Sequence, residues 1–237
     1  MRLSAPIYRL KRQAKLLSRD KKIALHEALD RIAHKEGFES WSLLAARLAD
    51  ASASRSLLAQ LEEGDLLLLG ARPGHGKTLM GLQLIVDAIR SGRNGILFTL
   101  EYTTSEVHER LRALGEDPDQ LGDLLSIVTS DDISSDFIIR YLEGAERGTV
   151  AVIDYLQILD QQRNKPELSI QISALQKFAR KQGFVLVFLS QIDRSYDPTR
   201  KPLPDVRDLR LPNRIDPRIF SKTCFMHEGE MLFQETA

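Results

Sequence analysis

The stretch that decides the fold is residues 65–80, DLLLLGARPGHGKTLM. An apolar run at 66–69 passes into a glycine-rich turn, which ends in Gly76, Lys77 and Thr78. Apolar residues at helical spacing follow at Leu82, Ile85, Val86 and Ile89. A strand, a loop and a helix in this order are the context that a phosphate-binding loop requires.

The loop has the chemistry of a nucleoside triphosphate site. Gly74 and Gly76 allow backbone N–H groups to converge on phosphate oxygens, and the following helix adds its positive dipole end. We expect Lys77 to reach the β- and γ-phosphates and the Thr78 hydroxyl to hold Mg²⁺. The predicted nucleotide-binding set is Ala71, Arg72, Pro73, Gly74, His75, Gly76, Lys77, Thr78 and Leu79.

One position departs from the usual G-x-x-x-x-G-K-[ST] pattern. Ala71 stands where that pattern has its first glycine, and Gly70 lies one residue earlier. The alternative to a phosphate-binding loop is an ordinary glycine turn between a strand and a helix.

Length and composition favour one sizeable α/β domain with a small appendage. The chain has 237 residues, and its 33 basic residues balance its 33 acidic ones. No apolar run approaches the ~18 residues of a membrane span, and the N-terminus has no uninterrupted hydrophobic core typical of a secretion signal. A single cysteine fits a reducing compartment. We therefore expect a cytoplasmic protein without membrane contact. Mg²⁺, carried in with the nucleotide, is the metal that we expect.

The pattern along the chain predicts two parts. Residues 1–53 are expected to be a small basic helical segment, and a Ser/Ala-rich break at 50–56 is expected to precede a short helix through Leu61. Residues 54–237 are expected to form a mostly parallel sheet covered by helices. The predicted strands are 66–70, 95–100, 125–128, 149–153 and 185–189, with helices near 77–90, 104–114, 135–145 and 168–182. A hairpin is expected at 223–227 and 231–234.

Polar residues end three of the predicted strands. Asp154 ends one and is suited to Mg²⁺, Glu101 ends a second and is the candidate general base, and Gln191 ends a third and is placed to sense the γ-phosphate. Ligands bind at the carboxyl ends of parallel strands, so the three are expected to meet there. The alternative for Glu101 is a solvated acid at a strand end.

Two basic stretches stand out against the neutral net charge. One lies at residues 9–22, and the other includes Arg194, Arg200 and Lys201 in a Pro/Arg-rich loop. Either could track a phosphate backbone. The alternative for the first is a solvated helix face, and the alternative for the second is likewise a solvated surface without a binding role.

Five short segments of the chain resemble those of a known family. The segments ARPGHGKT, FTLEY, VIDYLQIL, FLSQIDRS and DLR occur in the order and spacing of the RecA-like ATPase domain of DnaB-type replicative DNA helicases, over about residues 65–215. The resemblance implies a RecA-like P-loop NTPase fold with Glu101 as catalytic base, Lys77 on phosphate, Asp154 with Mg²⁺ and Gln191 coupling nucleotide state to DNA. It also implies a homo-oligomer, such as a hexameric ring, on single-stranded DNA that Arg194, Arg200 and Lys201 contact.

Against that family we expect differences at both ends of the sequence. We expect the shorter helical segment in place of the usual N-terminal domain, as a candidate site for a protein partner. We also expect the Lys-x-Arg element that supplies an arginine finger to be missing from its usual place, with Arg210 or Arg214 as the candidate substitute.

The leading interpretation is an ATP-hydrolysing, DnaB-like ATPase acting on single-stranded DNA, with helicase activity by analogy. The first alternative is a regulatory or adaptor protein that binds ATP and hydrolyses it little. The second is a small-molecule kinase built on the same loop, with residues 194–214 as its lid.

Overall fold

A computed structural model describes residues 3–5, 7–160, 166–210 and 215–236. The chain divides into two compact units, Met1–Ala53 and Ser54–Ala237. Within the described residues, no helix combines the length and the apolar character needed to cross a bilayer.

The first unit is helical. Helices α1 (Ile7–Lys21) and α2 (Leu25–Lys35) pack through a small core, and α3 begins at Trp41. Leu10 and Ala14 of α1 and Ala28 and Ile32 of α2 form that core, because each pair is spaced to face the same side of its helix. The basic residues of α1 are exposed. This stretch therefore forms the solvated helix face that was the alternative to a phosphate-backbone contact.

The predicted break at residues 50–56 was wrong. Helix α3 runs without interruption from Trp41 to Leu58, and no separate helix leads to Leu61. The segment contains neither glycine nor proline, and alanine and arginine are good helix formers, so serine alone did not end the helix. Ser54 in addition donates a hydrogen bond to the buried carboxylate of Asp87, with 2.5 Å between the oxygens.

The second unit is built on seven described strands. They are β1 (Leu66–Ala71), β2 (Gly95–Thr99), β3 (Leu125–Val128), β4 (Val150–Asp154), β5 (Val185–Gln191), β6 (Lys222–His227) and β7 (Glu230–Glu235). Their order across the sheet is β3-β2-β4-β5-β1-β6-β7. All neighbours are parallel except β6 and β7, which form the predicted antiparallel hairpin around residues 228–229. The expected α/β fold with a mostly parallel sheet and preceding helices is confirmed.

The helices lie where the apolar pattern predicted them, within three residues at each end. They are α4 (Lys77–Arg90), α5 (Thr104–Ala113), α7 (Ser135–Leu142) and α8 (Leu168–Gln182). The short helix α6 (Pro118–Leu121), between α5 and α7, was not predicted. Helix α4 packs closely on the sheet at Gly81. A Cβ at this position would lie 3.0 Å from Val152 and 3.1 Å from Leu189. Alternate residues of the strands form the core on the other face with α7 and α8.

The strands carry their polar residues to one edge of the sheet. In the parallel register, Asp154 of β4 lies beside Thr99 of β2 on one side and Leu189 of β5 on the other. The strand β1 ends at Ala71, which pairs with Gln191 of β5. The loop that follows β1, predicted to bind phosphate, therefore emerges at the edge to which β4 and β5 deliver Asp154 and Gln191.

The single cysteine supplies a test of this packing. Cys224 lies in β6 and is fully buried, and burial raises the pKa of its thiol to about 12. Because only the thiolate reacts with disulfide reagents, roughly one thiol in ten thousand would be reactive at pH 8. We expect no reaction with Ellman's reagent in the native protein and one equivalent after unfolding in guanidinium. Rapid reaction of the native protein would contradict the buried placement.

Candidate functional site

The loop between β1 and α4 has the backbone conformation of a phosphate cradle. Gly74 and Gly76 have φ of +80° and +81°, in the left-handed region that favours glycine. Gly76 is the N-cap of α4 and provides no side chain to bond the first N–H groups of the helix. Those N–H groups have no partner within the helix, so they can bind an anion there.

Lys77 lies between two carboxylates at the strand ends. Its Nζ is 3.0 Å from Oδ1 of Asp154 and 3.3 Å from Oε2 of Glu101. The Thr78 hydroxyl donates to the other oxygen of Asp154 over 2.8 Å. The structure therefore brings together Lys77 and Thr78, at the start of α4, with Glu101 and Asp154, which follow two different predicted strands.

The charge of Lys77 follows from these contacts. Burial lowers the pKa of its ammonium, but the facing carboxylates of Asp154 and Glu101 raise it by more. The net effect is a pKa above the ordinary value, so Lys77 is a cation. Asp154 is fully buried, whereas the Glu101 side chain is 26% exposed and open to the cleft.

A cleft of about 350 Å³ opens above these residues. Gln191 enters it from the end of β5, and Glu101 lines it as well. Its other lining residues include Pro73, Gly74 and Gly76 of the loop and Lys77, Thr78 and Leu79 of α4. The oxygen donors of Thr78 and Asp154 are of the kind that Mg²⁺ prefers, so this pair fits the predicted metal.

Two lining residues were missed by the sequence reasoning. Tyr102 and Arg110 complete the cleft, and the Arg110 guanidinium lies 3.7 Å from the centroid of the Tyr102 ring. Arg110 is in α5, nine positions after Glu101, and no motif marks it. The signal available was weak: a tyrosine following the candidate base, and an arginine in the next helix.

The described part of the Arg-rich loop, residues 194–210, is held by contacts among its own side chains that its composition did not predict. The Lys201 ammonium lies 2.6 Å from carboxylates of both Asp205 and Asp208, and the Tyr196 hydroxyl donates to the Lys201 carbonyl. The side chain of Arg200 is 88% exposed, with its guanidinium 3.5 Å from Asp197. Lys201 is thus bound within the loop, while Arg200 faces solvent.

Of the two candidates for an arginine finger, Arg210 and Arg214, the structure describes one. Arg210 is exposed, and its backbone is fixed by hydrogen bonds to the Gln191 carbonyl and from the Gln157 amide. It does not line the cleft formed by the described residues. Arg214 lies outside the described residues.

Comparison with known proteins identifies the family. A family model described as the ATPase KaiC matches residues 56–203, which is more than half of the chain. This chain belongs to the KaiC ATPase family. The matched segment contains the loop, Lys77, Glu101, Asp154 and Gln191, so the chain carries a P-loop ATPase domain of the RecA-like fold.

Relatives of this KaiC-family chain include replicative helicases. The replicative DNA helicase DnaB of Helicobacter pylori (strain J99) is 27% identical over 183 residues, an alignment that covers 62% of this chain and 37% of the helicase. The chain thus spans little more than a third of that relative's length. The predicted resemblance to a DnaB-type ATPase domain is confirmed.

Solved structures share the fold of this KaiC-family chain. A DnaB-like replicative helicase, solved in a study of its interactions with primase, superposes with a TM-score of 0.57 at 20% identity, covering 70% of this chain and 48% of its own. The KaiC-like protein PH0186 of Pyrococcus horikoshii OT3 gives a TM-score of 0.55 at 18% identity, over 73% of this chain and 80% of its own. Both structures therefore support the RecA-like arrangement of the sheet and its helices.

Proposed function

We propose that this chain hydrolyses ATP with Mg²⁺ and that single-stranded DNA stimulates the hydrolysis. The observation that carries the proposal is the placement of Lys77 between Asp154 and Glu101 at the floor of the cleft. A phosphate group entering the cleft would meet a buried cation, the N–H groups of the loop and a carboxylate open to solvent.

The chain's own residues divide the work of hydrolysis in this proposal. The Lys77 ammonium moves from the carboxylates to the β- and γ-phosphates, which releases Glu101. Glu101 then accepts a proton from water as the water oxygen bonds to the γ-phosphorus and the bridging oxygen leaves with ADP. Thr78 and Asp154 would hold Mg²⁺, which would neutralise phosphate charge. Gln191 faces the γ-phosphate from β5, and Arg110 adds a second cation beside Tyr102.

The DNA contact is proposed for the exposed cations beside the β5 strand end. Arg194 and Arg200 are both exposed, and they follow Gln191 closely in the chain. Lys201 has a structural role in this proposal, because its ammonium is already bound by two carboxylates. Phosphate contacts by arginine make binding dependent on salt, since each contact releases counterions from the DNA.

An ATPase assay with and without single-stranded DNA tests this function. We expect DNA to stimulate turnover of the natural chain, and the double variant Arg194→Ala/Arg200→Ala to bind DNA more weakly with a salt slope lower by about one to two. Arg207→Ala is the matched control, because Arg207 lies in the same loop and pairs with Asp205 at 2.8 Å.

The outcomes separate the alternatives. Retained ATP binding with slow turnover that DNA does not change would support the regulatory protein. Equal DNA affinity in the double variant and in the natural chain would remove the Arg-rich loop as the contact surface.

We also propose that residues 1–53 act as a domain separate from 54–237 and that the chain works as a homo-oligomer. Arg210 is the candidate to reach a neighbour's cleft, because its backbone is fixed beside Gln191 while its side chain is exposed. The outward cations of α1 suit a partner with an acidic surface, by charge complementarity.

A further inference from the structure

A buried histidine lies against the phosphate-binding loop and has no part in the chemistry described above. His227 is the last residue of β6 and is 6% exposed. Neither of its ring nitrogens has a hydrogen-bond partner among the described residues. Burying polar groups without a partner is unfavourable. The burial of this ring therefore needs a reason other than hydrogen bonding, and its ring contacts provide one.

Those contacts form a ring cluster of His75, His227 and Tyr196. The rings of His75 and His227 stack with centroids 5.2 Å apart and planes 11° from parallel. Tyr196 meets His227 edge to face, with centroids 5.5 Å apart and planes at 83°. Tyr196 is itself 5% exposed, so the cluster is anchored on the inner side of the Arg-rich loop.

The stack is the side-chain support of the tip of the phosphate-binding loop. His75 lies between the two glycines, and a Cβ built at Gly74 or Gly76 meets nothing within 4 Å. Pro73 is exposed as well. Both glycines allow many backbone conformations, and little packing restricts them, so the ring of His75 helps to tie this part of the loop to the sheet. The Arg72 guanidinium adds a second contact at the base of the loop, 5.8 Å from the centroid of the Tyr196 ring.

We propose that His227 is a positioning residue for the phosphate-binding loop. By stacking on His75 it keeps residues 73–76 in the conformation that directs N–H groups at phosphate, and so reduces the ordering that ATP binding would otherwise require. The contact is through the ring face, so the ring is required and its nitrogens are not. The inference rests on the phosphate-binding role proposed for residues 71–79.

The kinetic test compares His227→Ala with His227→Phe. We expect His227→Ala to raise the KM for ATP about three- to tenfold, with kcat changed much less, and His227→Phe to stay near the natural chain. His75→Ala should raise KM similarly, and the double variant should add little to either single one. Phe178→Ala is the control. It also removes a ring contact, but its partner Phe184 comes just before the first residue of β5, at the end of the strand opposite to Gln191.

Hydrogen exchange of the loop tests the same proposal without ATP. We expect amides in residues 72–78 to exchange faster in His227→Ala and at the natural rate in His227→Phe. Unchanged exchange in His227→Ala, or a phenylalanine variant as impaired as the alanine one, would overturn the positioning role. Failure of the natural chain to bind ATP would contradict the proposed function instead, whatever the exchange rates.

Discussion

Glu101→Gln is expected to lower ATP turnover by about 10² to 10⁴, the usual contribution of a general base, while ATP affinity stays within a few-fold. Glutamine keeps the size and polarity of the side chain but cannot accept the proton from water. The remaining carboxylate of Asp154, 3.0 Å from Nζ of Lys77, keeps the lysine in place. Steady-state hydrolysis and equilibrium binding of a fluorescent ATP analogue measure the two quantities.

Glu109→Gln is the matched control for this variant. Glu109 is exposed on α5, near the cleft in sequence but not among its lining residues. Its replacement removes the same charge and is expected to leave turnover unchanged. A Glu101→Gln protein that hydrolyses ATP at the natural rate would remove Glu101 from the mechanism. A similar loss in both variants would point to the local charge instead of proton transfer.

Lys77→Met is expected to abolish ATP binding and also to destabilise the fold by about 3–5 kcal/mol, the usual cost of removing one member of a buried ion pair. Lys77 is 7% exposed and Asp154 is fully buried. Methionine fills similar space without charge, so among the described residues the carboxylate of Asp154 is left with the Thr78 hydroxyl as its side-chain hydrogen-bond donor. Urea unfolding measures the loss.

The double variant Lys77→Met/Asp154→Asn separates stability from function. The asparagine removes the unpaired charge, so we expect most of the lost stability to return while ATP binding stays absent. A single Lys77→Met variant as stable as the natural chain would mean that the ion pair with Asp154 contributes little to folding. Recovery of ATP binding in the double variant would contradict the role of Lys77 on phosphate.

Much of the fold was predictable because its signals are local. The loop at 71–78, the helix from Lys77 to Arg90 and the hairpin around residues 228–229 each depend on neighbours in sequence. The break predicted at residues 50–56 failed because a serine-rich sequence permits a helix as well as a turn, and the hydrogen bond of Ser54 with Asp87 favours the helix.

By itself the sequence determined the order of strand, loop and helix, and it determined that Glu101, Asp154 and Gln191 follow three apolar strands. Parallel strands bring such residues to one edge, so their convergence needed no coordinates. Only the tertiary structure decided which cations are bound within the loop and which face solvent. It paired Lys201 inside its loop, brought Arg110 into the cleft and stacked His227 on His75. Contacts between residues distant in sequence depend on side-chain direction and packing, which periodicity and spacing do not encode.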